Sequence, residues 1–210
     1  MTLQGERTLV AVTAGLGQPS STRLLTDRLV AATQVRLRER GVEPRTRTIE
    51  LREHAQDLAS NLLAGFPSPS LREATDAVVA ADGLIAVTPI FTASYSGLFK
   101  TFFDVLERDS LAGSPVLIAA TGGTARHSLA LEHALRPLFA YLGAATMPTA
   151  VYAAAEDWGE GDVAAEPGLA ERIDRAAEEL AAAVAGRERP ARPDPYAEPT
   201  PFEELLASQQ

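Results

Sequence analysis

Residues 88–100 read Thr88-Pro-Ile-Phe-Thr-Ala-Ser-Tyr-Ser-Gly-Leu-Phe-Lys100 and join a predicted strand to a predicted helix. The run Gly83–Thr88 is short, apolar and rich in strand formers, whereas Gly97–Leu106 places apolar residues at helical spacing. The segment between them is therefore a strand-to-helix loop. In an open α/β sheet such loops lie at the carboxyl ends of the strands, where ligands bind.

This loop offers side chains that suit a flat, polar ligand. Pro89 stiffens the exit from the strand, and Phe91 and Tyr95 provide aromatic faces. Ser94 and Ser96 add hydroxyl groups. Taken alone, this stretch is also explained by an ordinary turn whose aromatic residues lie in the core. The neighbouring loops therefore decide between an ordinary turn and a ligand-binding loop.

The composition is that of a globular domain followed by a tail. The chain has 210 residues, of which 46% are hydrophobic and 22% charged, and we expect one domain with a sizeable core over residues 1–186. Residues 187–210 contain five prolines and predict an extended segment. Its end, Phe202-Glu-Glu-Leu-Leu206, carries apolar residues that a solvated tail does not need. We therefore expect the tail to dock on its own domain or on a partner subunit.

Charge and residue usage exclude several classes of protein. A net charge of -9 and a pI near 4.9 disfavour a nucleic-acid surface, which needs a basic stripe. The absence of cysteine excludes disulfides, thiolate catalysis and cysteine metal sites. Residues 1–7 are polar, and no apolar run reaches the length of a membrane span, which predicts a soluble cytoplasmic protein without membrane contact. The three histidines lack metal-ligand spacing, so no metal site is expected.

Strand and helix patterns alternate along the chain. Besides Gly83–Thr88, strands are predicted at Thr8–Thr13, Thr46–Leu51, Pro115–Thr121 and Thr146–Tyr152. Helices are predicted after the first loop up to Gly41 and at Gln56–Leu63, Ser68–Ala81, Gly97–Arg108, His127–Leu142 and Gly168–Val184. Pro148 interrupts the last strand, and Pro137 should kink the helix that contains it. The alternation predicts an α/β protein with a doubly wound, five-stranded parallel sheet and helices on both faces.

The loop after the first strand has the composition of an anion site. Gly17 frees the backbone, and Ser20 and Thr22 supply hydroxyls next to free N–H groups at a helix start, where the helix dipole also favours negative charge. Arg23 could add a bidentate pair to a phosphate. A simple helix cap by Ser21 or Thr22 explains the same residues. A dinucleotide fingerprint fits less well because Ser20 stands where its third glycine belongs, and a Walker loop is absent.

A second glycine-rich loop, Thr121-Gly-Gly-Thr124, follows the fourth strand. Its glycines let backbone N–H groups approach a flat polar edge. The loops after strands one, three and four should meet at one end of the sheet. Together they offer a phosphate cradle, aromatic and hydroxyl groups, and exposed amides. FMN has a phosphate, a flat ring and a hydrogen-bonding pyrimidine edge, and so matches all three.

These loops also carry a resemblance that covers residues 8–152. The chain resembles the NADPH-dependent FMN reductase family of flavodoxin-like proteins, and within it the actinobacterial-type reductases that supply reduced FMN to luciferase-like monooxygenases. The motifs are Ser20-Ser-Thr-Arg23, Thr88–Lys100, Ala120-Thr-Gly-Gly123 and Ala134-Leu-Arg-Pro137, together with the tail end Pro201-Phe-Glu-Glu-Leu-Leu206. The resemblance implies a flavodoxin-like fold, FMN and NADPH or NADH as ligands, and a homodimer or homotetramer.

The resemblance also implies roles for particular residues. The FMN phosphate would be held by Ser20, Thr22 and Arg23. The ribityl chain and ring would be lined by Pro89, Ile90, Phe91, Ser94 and Tyr95, and the pyrimidine edge would meet Thr121, Gly122 and Gly123. His127 lies close enough to touch the flavin or the nicotinamide nucleotide, although a solvated residue at a helix start is an equal alternative. Hydride transfer then depends on positioning, and no residue is expected to act as an essential acid or base.

Other functions remain open on the sequence alone. One is an enzyme that keeps FMN as a prosthetic group and reduces quinones or azo compounds, and another is a flavodoxin-like electron carrier without a nicotinamide site. A hydrolase using Ser94, Asp104 and His127 is disfavoured because the glycines of a nucleophile elbow are missing. His133 is a candidate for a subunit interface, and Trp158 for a lid or a hydrophobic anchor.

Overall fold

The computed structural model describes residues 5–158 and 168–187. Seven strands form one sheet: β1 Glu6–Thr13, β2 Glu43–Glu50, β3 Gly83–Phe91, β4 Ser94–Tyr95, β5 Pro115–Gly122, β6 Ala145–Thr146 and β7 Val151–Ala154. The long strands are parallel in the order β2-β1-β3-β5, and β6 and β7 extend the far edge of β5. This is the strand order of the flavodoxin-like fold, so the predicted α/β class and parallel sheet are confirmed.

Six α-helices cover the two faces: α1 Ser21–Glu39, α2 Ala55–Ala64, α3 Pro69–Ala80, α4 Gly97–Asp104, α5 Arg136–Tyr141 and α6 Leu169–Gly186. Alternate residues of a strand point to opposite faces, and β1 shows the result. Val10 and Val12 pack with the side chains of α2 to α5, whereas Leu9 and Ala11 pack beneath α1 and α6. Both layers are therefore dry cores that hold the strand ends in fixed positions.

The predicted fifth strand is divided in two. Its first half is β6, which pairs with Pro115 and Val116, and its second half is β7, which pairs with residues 119–122 of β5. Pro148 lies between the halves and has no N–H to donate to a ladder, which is why the pairing is interrupted there. Strand β3 also continues beyond the predicted end, since Ile90 and Phe91 form an antiparallel hairpin with β4.

The helix predicted over residues 127–142 is distorted, as Pro137 led us to expect. A 3-10 turn at Ala125–His127 comes first, a π-helical turn at Leu131–Leu135 follows, and α5 completes the segment. In the π turn the N–H of Arg136 bonds to the carbonyl of Leu131, five residues earlier. Pro137 directly follows this wide turn and lacks the N–H that would close a normal one.

None of the helices within residues 5–158 and 168–187 is both long and apolar enough to cross a membrane. The predicted tail lies outside the described residues except for Arg187. The guanidinium of Arg187 donates to the carbonyls of Ala81 and Asp82 and to Ser114, all at the amino-terminal edge of the sheet. The chain thus leaves the domain at the edge opposite the carboxyl ends of the strands.

Candidate functional site

A cleft of about 460 Å³ opens at the carboxyl ends of the strands. Four segments of the chain line it, as the flavodoxin-like strand order requires. The lining residues are Leu16, Gly17, Pro19, Ser20, Ser21 and Thr22 after β1, Pro89, Ile90 and Phe91 in β3, Thr121, Gly122 and Gly123 after β5, and Ala155 and Trp158 after β7. Eight of the twelve residues predicted to bind FMN are among them: Ser20, Thr22, Pro89, Ile90, Phe91, Thr121, Gly122 and Gly123.

The start of helix α1 forms one end of the cleft. Ser20 caps the helix, with its Oγ accepting from the N–H of Arg23 at 3.2 Å, and the first intrahelical bond joins the N–H of Leu24 to the carbonyl of Ser20. The N–H groups of Ser21 and Thr22 precede that bond and have no partner within the helix. No acidic residue lies in the first turn. The helix end therefore presents free donors and a positive dipole to an anion, and the cap and the anion site coexist.

The loop between β1 and α1, residues 15–20, is tightly packed at its glycines. A Cβ added at Gly15 would collide with the hydroxyl of Ser20. Glycine at this position thus lets Ser20 turn inward and cap α1.

A buried pair of hydroxyls joins two of the loops below the cleft. The Oγ1 atoms of Thr22 and Thr121 lie 2.8 Å apart, and both side chains are almost wholly buried. Thr22 belongs to α1 and Thr121 to the end of β5, so this hydrogen bond fixes the anion site against the second glycine-rich loop. The spacing between the two ends of a bound ligand would depend on it.

The second glycine-rich loop packs against a tyrosine. The hydroxyl of Tyr152 donates to the carbonyl of Thr124 at 2.9 Å, and a Cβ at Gly122 would collide with that hydroxyl. Burial, followed by the nearby charges of Glu156 and Asp157, raises the pKa of Tyr152, which keeps the phenol protonated as a donor. Glycine at position 122 therefore leaves the space that the Tyr152 hydroxyl occupies.

Two aromatic side chains line the cleft. Phe91, 47% exposed, stands at the tip of the β3–β4 hairpin, where Thr92 and Ala93 adopt positive φ angles of 48° and 66°. Trp158 lies under the guanidinium of Arg28, 5.0 Å from the ring centre, and packs against the core beneath α1 and α6. This packing fits the hydrophobic anchor that the sequence suggested, and the alternative of a lid stays a prediction.

Arg23 does not line the cleft. Its Nε donates to Asp27 at 2.8 Å and its Nη1 pairs with Glu50 at the end of β2. Hydrogen bonding by Asp27 raises the pKa of the guanidinium, and the charges of Asp27 and Glu50 and the hydrogen bond to Glu50 add to this rise, which burial opposes. Arg23 therefore sits beside the anion site with its charge already partnered.

Three further predicted residues lie outside the cleft. Ser94 and Tyr95 form β4, and Tyr95 turns towards Phe99, with ring centres 6.1 Å apart. His127 is exposed on the 3-10 turn after the second glycine-rich loop. No hydrogen bond joins Ser94, Asp104 and His127 in the described part of the chain, and Asp104 pairs with Lys100 instead. The structure thus gives no support to the hydrolase alternative.

Sequence reasoning left the loop after β7 out of the predicted FMN site, although it considered Trp158 as a lid. Ala155 and Trp158 line the cleft from there, although the fifth strand was predicted and its loop must reach the same edge of the sheet. Leu16, Pro19 and Ser21 were recognised as part of the first loop but not as lining residues. A count of every carboxyl-end loop would have added the loop of Ala155 and Trp158 to the predicted site.

Comparison with known proteins identifies the family. The model of the NADPH-dependent FMN reductase family matches residues 8–159, which include all four segments that line the cleft. The chain belongs to the NADPH-dependent FMN reductase family.

Individual relatives of this FMN reductase family member are similar over most of their length. An FMN reductase (NADPH) from Pseudomonas aeruginosa is 38% identical over 179 residues, 85% of this chain and 93% of the relative. An NADH-dependent FMN reductase, SfnF, from Pseudomonas putida is 37% identical over 174 residues, 83% of this chain and 91% of the relative. The crystal structure of an oxidoreductase from Corynebacterium diphtheriae superimposes with a TM-score of 0.82 at 45% identity, covering 87% of this chain and 99% of that one.

The cleft of this family member fits FMN by its own chemistry. Free N–H groups and hydroxyls at the start of α1 suit a phosphate, and the walls of Phe91 and Trp158 suit a flat ring. Gly122 and Gly123 carry no side chains that would cover their backbone amides, which suits a polar ring edge. A volume of about 460 Å³ lies within the range of small-molecule sites.

Proposed function

We propose that this chain is an NAD(P)H-dependent FMN reductase that supplies reduced flavin to a two-component flavin-dependent monooxygenase, in the manner of the actinobacterial-type reductases that serve luciferase-like monooxygenases. The observation that carries the proposal is the meeting of an anion site at α1, aromatic walls and a glycine-rich strand end in one cleft. When bound, FMN accepts a hydride from NAD(P)H at its ring.

The protein's own part is to bind and position. Ser20, Ser21 and Thr22 hold the phosphate end, and Thr121 with Gly122 and Gly123 holds the polar ring edge. The wall residues Pro89, Ile90 and Phe91 keep water from one side of the ring. Hydride transfer between two bound nucleotides depends on their relative position more than on an acid or base from the protein. Members of the family named for NADH and for NADPH both resemble the chain, so either nucleotide is a candidate donor.

A decisive test is NADPH and NADH oxidation by purified protein with FMN varied from stoichiometric to large excess. Saturation in FMN far above the enzyme concentration is expected, because FMN then acts as a substrate. A plateau at one FMN per subunit followed by a requirement for quinone would identify an enzyme with a prosthetic flavin. FMN binding without any turnover would identify an electron carrier and overturn the proposal.

We also propose that the protein is a cytoplasmic homodimer or homotetramer and that its tail docks on the domain or on a partner subunit. The support is the exposed apolar surface around Tyr141 and the apolar residues at the end of the tail. Removal of residues 188–210 tests the tail. A smaller number of subunits or a lower melting temperature is expected, whereas the same number of subunits and the same melting temperature in both proteins would show that the tail is not docked.

A further inference from the structure

Two arginines and two carboxylates form an ion cluster behind the loop between β1 and α1. The cluster consists of Arg23 and Asp27 in α1, Glu50 at the end of β2 and Arg52 in the 3-10 turn that follows. It lines a second cavity of about 310 Å³. That cavity shares three wall residues with the flavin cleft: Gly17, Pro19 and Ser20. The guanidinium groups of Arg23 and Arg52 thus lie on one side of this loop and the anion site lies on the other.

One carboxylate holds both arginines. Oε1 of Glu50 pairs with Nη1 of Arg23, and Oε2 pairs with Nε of Arg52 at 2.9 Å. Glu50 is only 20% exposed, so water screens these contacts less than it screens a surface pair. The amide of Gln18, oriented so that its oxygen faces Arg52, accepts from Nη2 and Nη1 of Arg52 at 2.5 and 2.6 Å. The carboxylate of Asp27 accepts from the Nε of Arg23.

The cluster works against binding of an anion in two ways. A guanidinium that is already paired with a carboxylate has fewer free donors for a bidentate bond to phosphate. The carboxylate of Glu50 also adds negative charge close to the place where a phosphate would lie, and like charges repel. Both effects weaken binding of a phosphate without any contact between Glu50 and the ligand.

We propose that Glu50 sets the affinity of the cleft for FMN by withholding Arg23 and Arg52 from the phosphate group. The inference rests on the proposed function, since a reductase that passes on its flavin needs an exchangeable FMN. Glu50 is accordingly a positioning residue. Replacing Glu50 would leave the positive charges of Arg23 and Arg52 available to a phosphate.

The experiment measures Kd for FMN and for riboflavin, which lacks the phosphate, by quenching of flavin fluorescence with apoprotein. In Glu50→Gln the FMN Kd should fall roughly tenfold, the effect of removing one nearby charge, while the riboflavin Kd stays within twofold. The salt dependence of FMN binding should also become steeper. Glu53→Gln is the matched control, because Glu53 is exposed on the same 3-10 turn and has no ion pair among the described residues.

Two further variants distinguish an effect of the freed arginine charges from an effect of damage to the loop. Asp27→Asn frees only Nε of Arg23 and should tighten FMN binding less than Glu50→Gln. Adding Arg23→Gln to Glu50→Gln should remove most of the gain. Weaker FMN binding in Glu50→Gln, or an equal gain for riboflavin, would overturn the proposal and make Glu50 a support of the loop. A wild-type protein that binds no FMN would instead overturn the proposed function.

Discussion

Gly122 illustrates how one residue limits the shape of the cleft. The hydroxyl of Tyr152 occupies the space that a Cβ would need. We expect Gly122→Ala to lower the free energy of unfolding by about 1–3 kcal/mol, the usual cost of overpacking. Gly123→Ala should change it by less than about 0.5 kcal/mol, because a Cβ there meets nothing within 4 Å.

Urea unfolding of the two variants is the measurement. The Gly122→Ala protein should recover part of its stability when Tyr152→Phe removes the obstructing hydroxyl. Equal stability of Gly122→Ala and wild type would show that Tyr152 moves aside without cost. The contact between positions 122 and 152 could not be read from the sequence, because it depends on the register of two strands thirty residues apart in the chain.

The hydroxyl pair of Thr22 and Thr121 makes a second prediction at the residue scale. Replacing either threonine by valine leaves the other hydroxyl buried without its partner, at a cost of about 1–3 kcal/mol. The double variant should cost less than the sum by about 0.5 kcal/mol or more, since no orphaned hydroxyl remains. A double-mutant cycle on the apoprotein checks this, and additive effects would contradict a direct bond.

The π-helical turn and α5 carry a pH-sensitive contact at the scale of elements. Arg136 donates to both carboxylate oxygens of Glu132 at 2.6 and 2.9 Å and to the carbonyls of Met147 and Pro148. The hydrogen bonds from Arg136 lower the pKa of Glu132. A carboxyl whose pKa is lower in the folded state stabilises the protein above its unfolded pKa, and this contribution disappears as the pH falls through the folded pKa.

Glu132→Gln should therefore be less stable than wild type at pH 7 and equally stable in acid. The difference at pH 7 should stay below about 1 kcal/mol, because Glu132 is 47% exposed and screened by water. Urea unfolding should show the difference shrinking between about pH 5 and pH 3. The exposed Glu107→Gln serves as the control, and a difference that persists at pH 3 would assign the effect to something other than the charge.

The ends of helices and strands are predicted less well from sequence patterns than their central runs. The runs at β1, β3 and β5 were predicted to within a few residues, because burial on both faces leaves a continuous apolar signal. The β3–β4 hairpin was not predicted, since its two-residue turn at Thr92 and Ala93 uses positive φ angles without a glycine. The hairpin also decides which of these residues belong to the site, because Phe91 lines the cleft whereas Ser94 and Tyr95 lie outside it.

The position of the site as a whole could be predicted because the strand order largely determines which loops lie together. Once the strand order is fixed, the carboxyl-end loops must meet, and eight predicted residues line one cleft for that reason. The orientation of Arg23 could not be predicted in this way. It depends on two carboxylates that hold its donors: Asp27, one turn further along α1, and Glu50, which the fold brings from the end of β2.

The proposed assembly into dimers or tetramers would have a consequence for the cleft. A groove of about 660 Å³ lies between α4 and α5 and is lined by Tyr95, His133 and Tyr141, the last 72% exposed. Tyr95 pairs with Ile90 across the hairpin whose other side forms a wall of the cleft. A partner subunit seated in this groove would therefore hold the hairpin, and through it the wall that Ile90 and Phe91 contribute to the cleft.

We expect Tyr141→Asp to lower the sedimenting mass and to raise the Kd for FMN about fivefold, the effect of freeing one or two interfacial side chains. Leu63→Asp, at a 92% exposed position on α2, is the matched control and should change neither quantity. Sedimentation velocity and flavin fluorescence titration on the same samples provide both measurements. A lower mass with Leu63→Asp alone would place the interface at α2, and unchanged FMN affinity in a dissociated Tyr141→Asp protein would show that each subunit builds its cleft unaided.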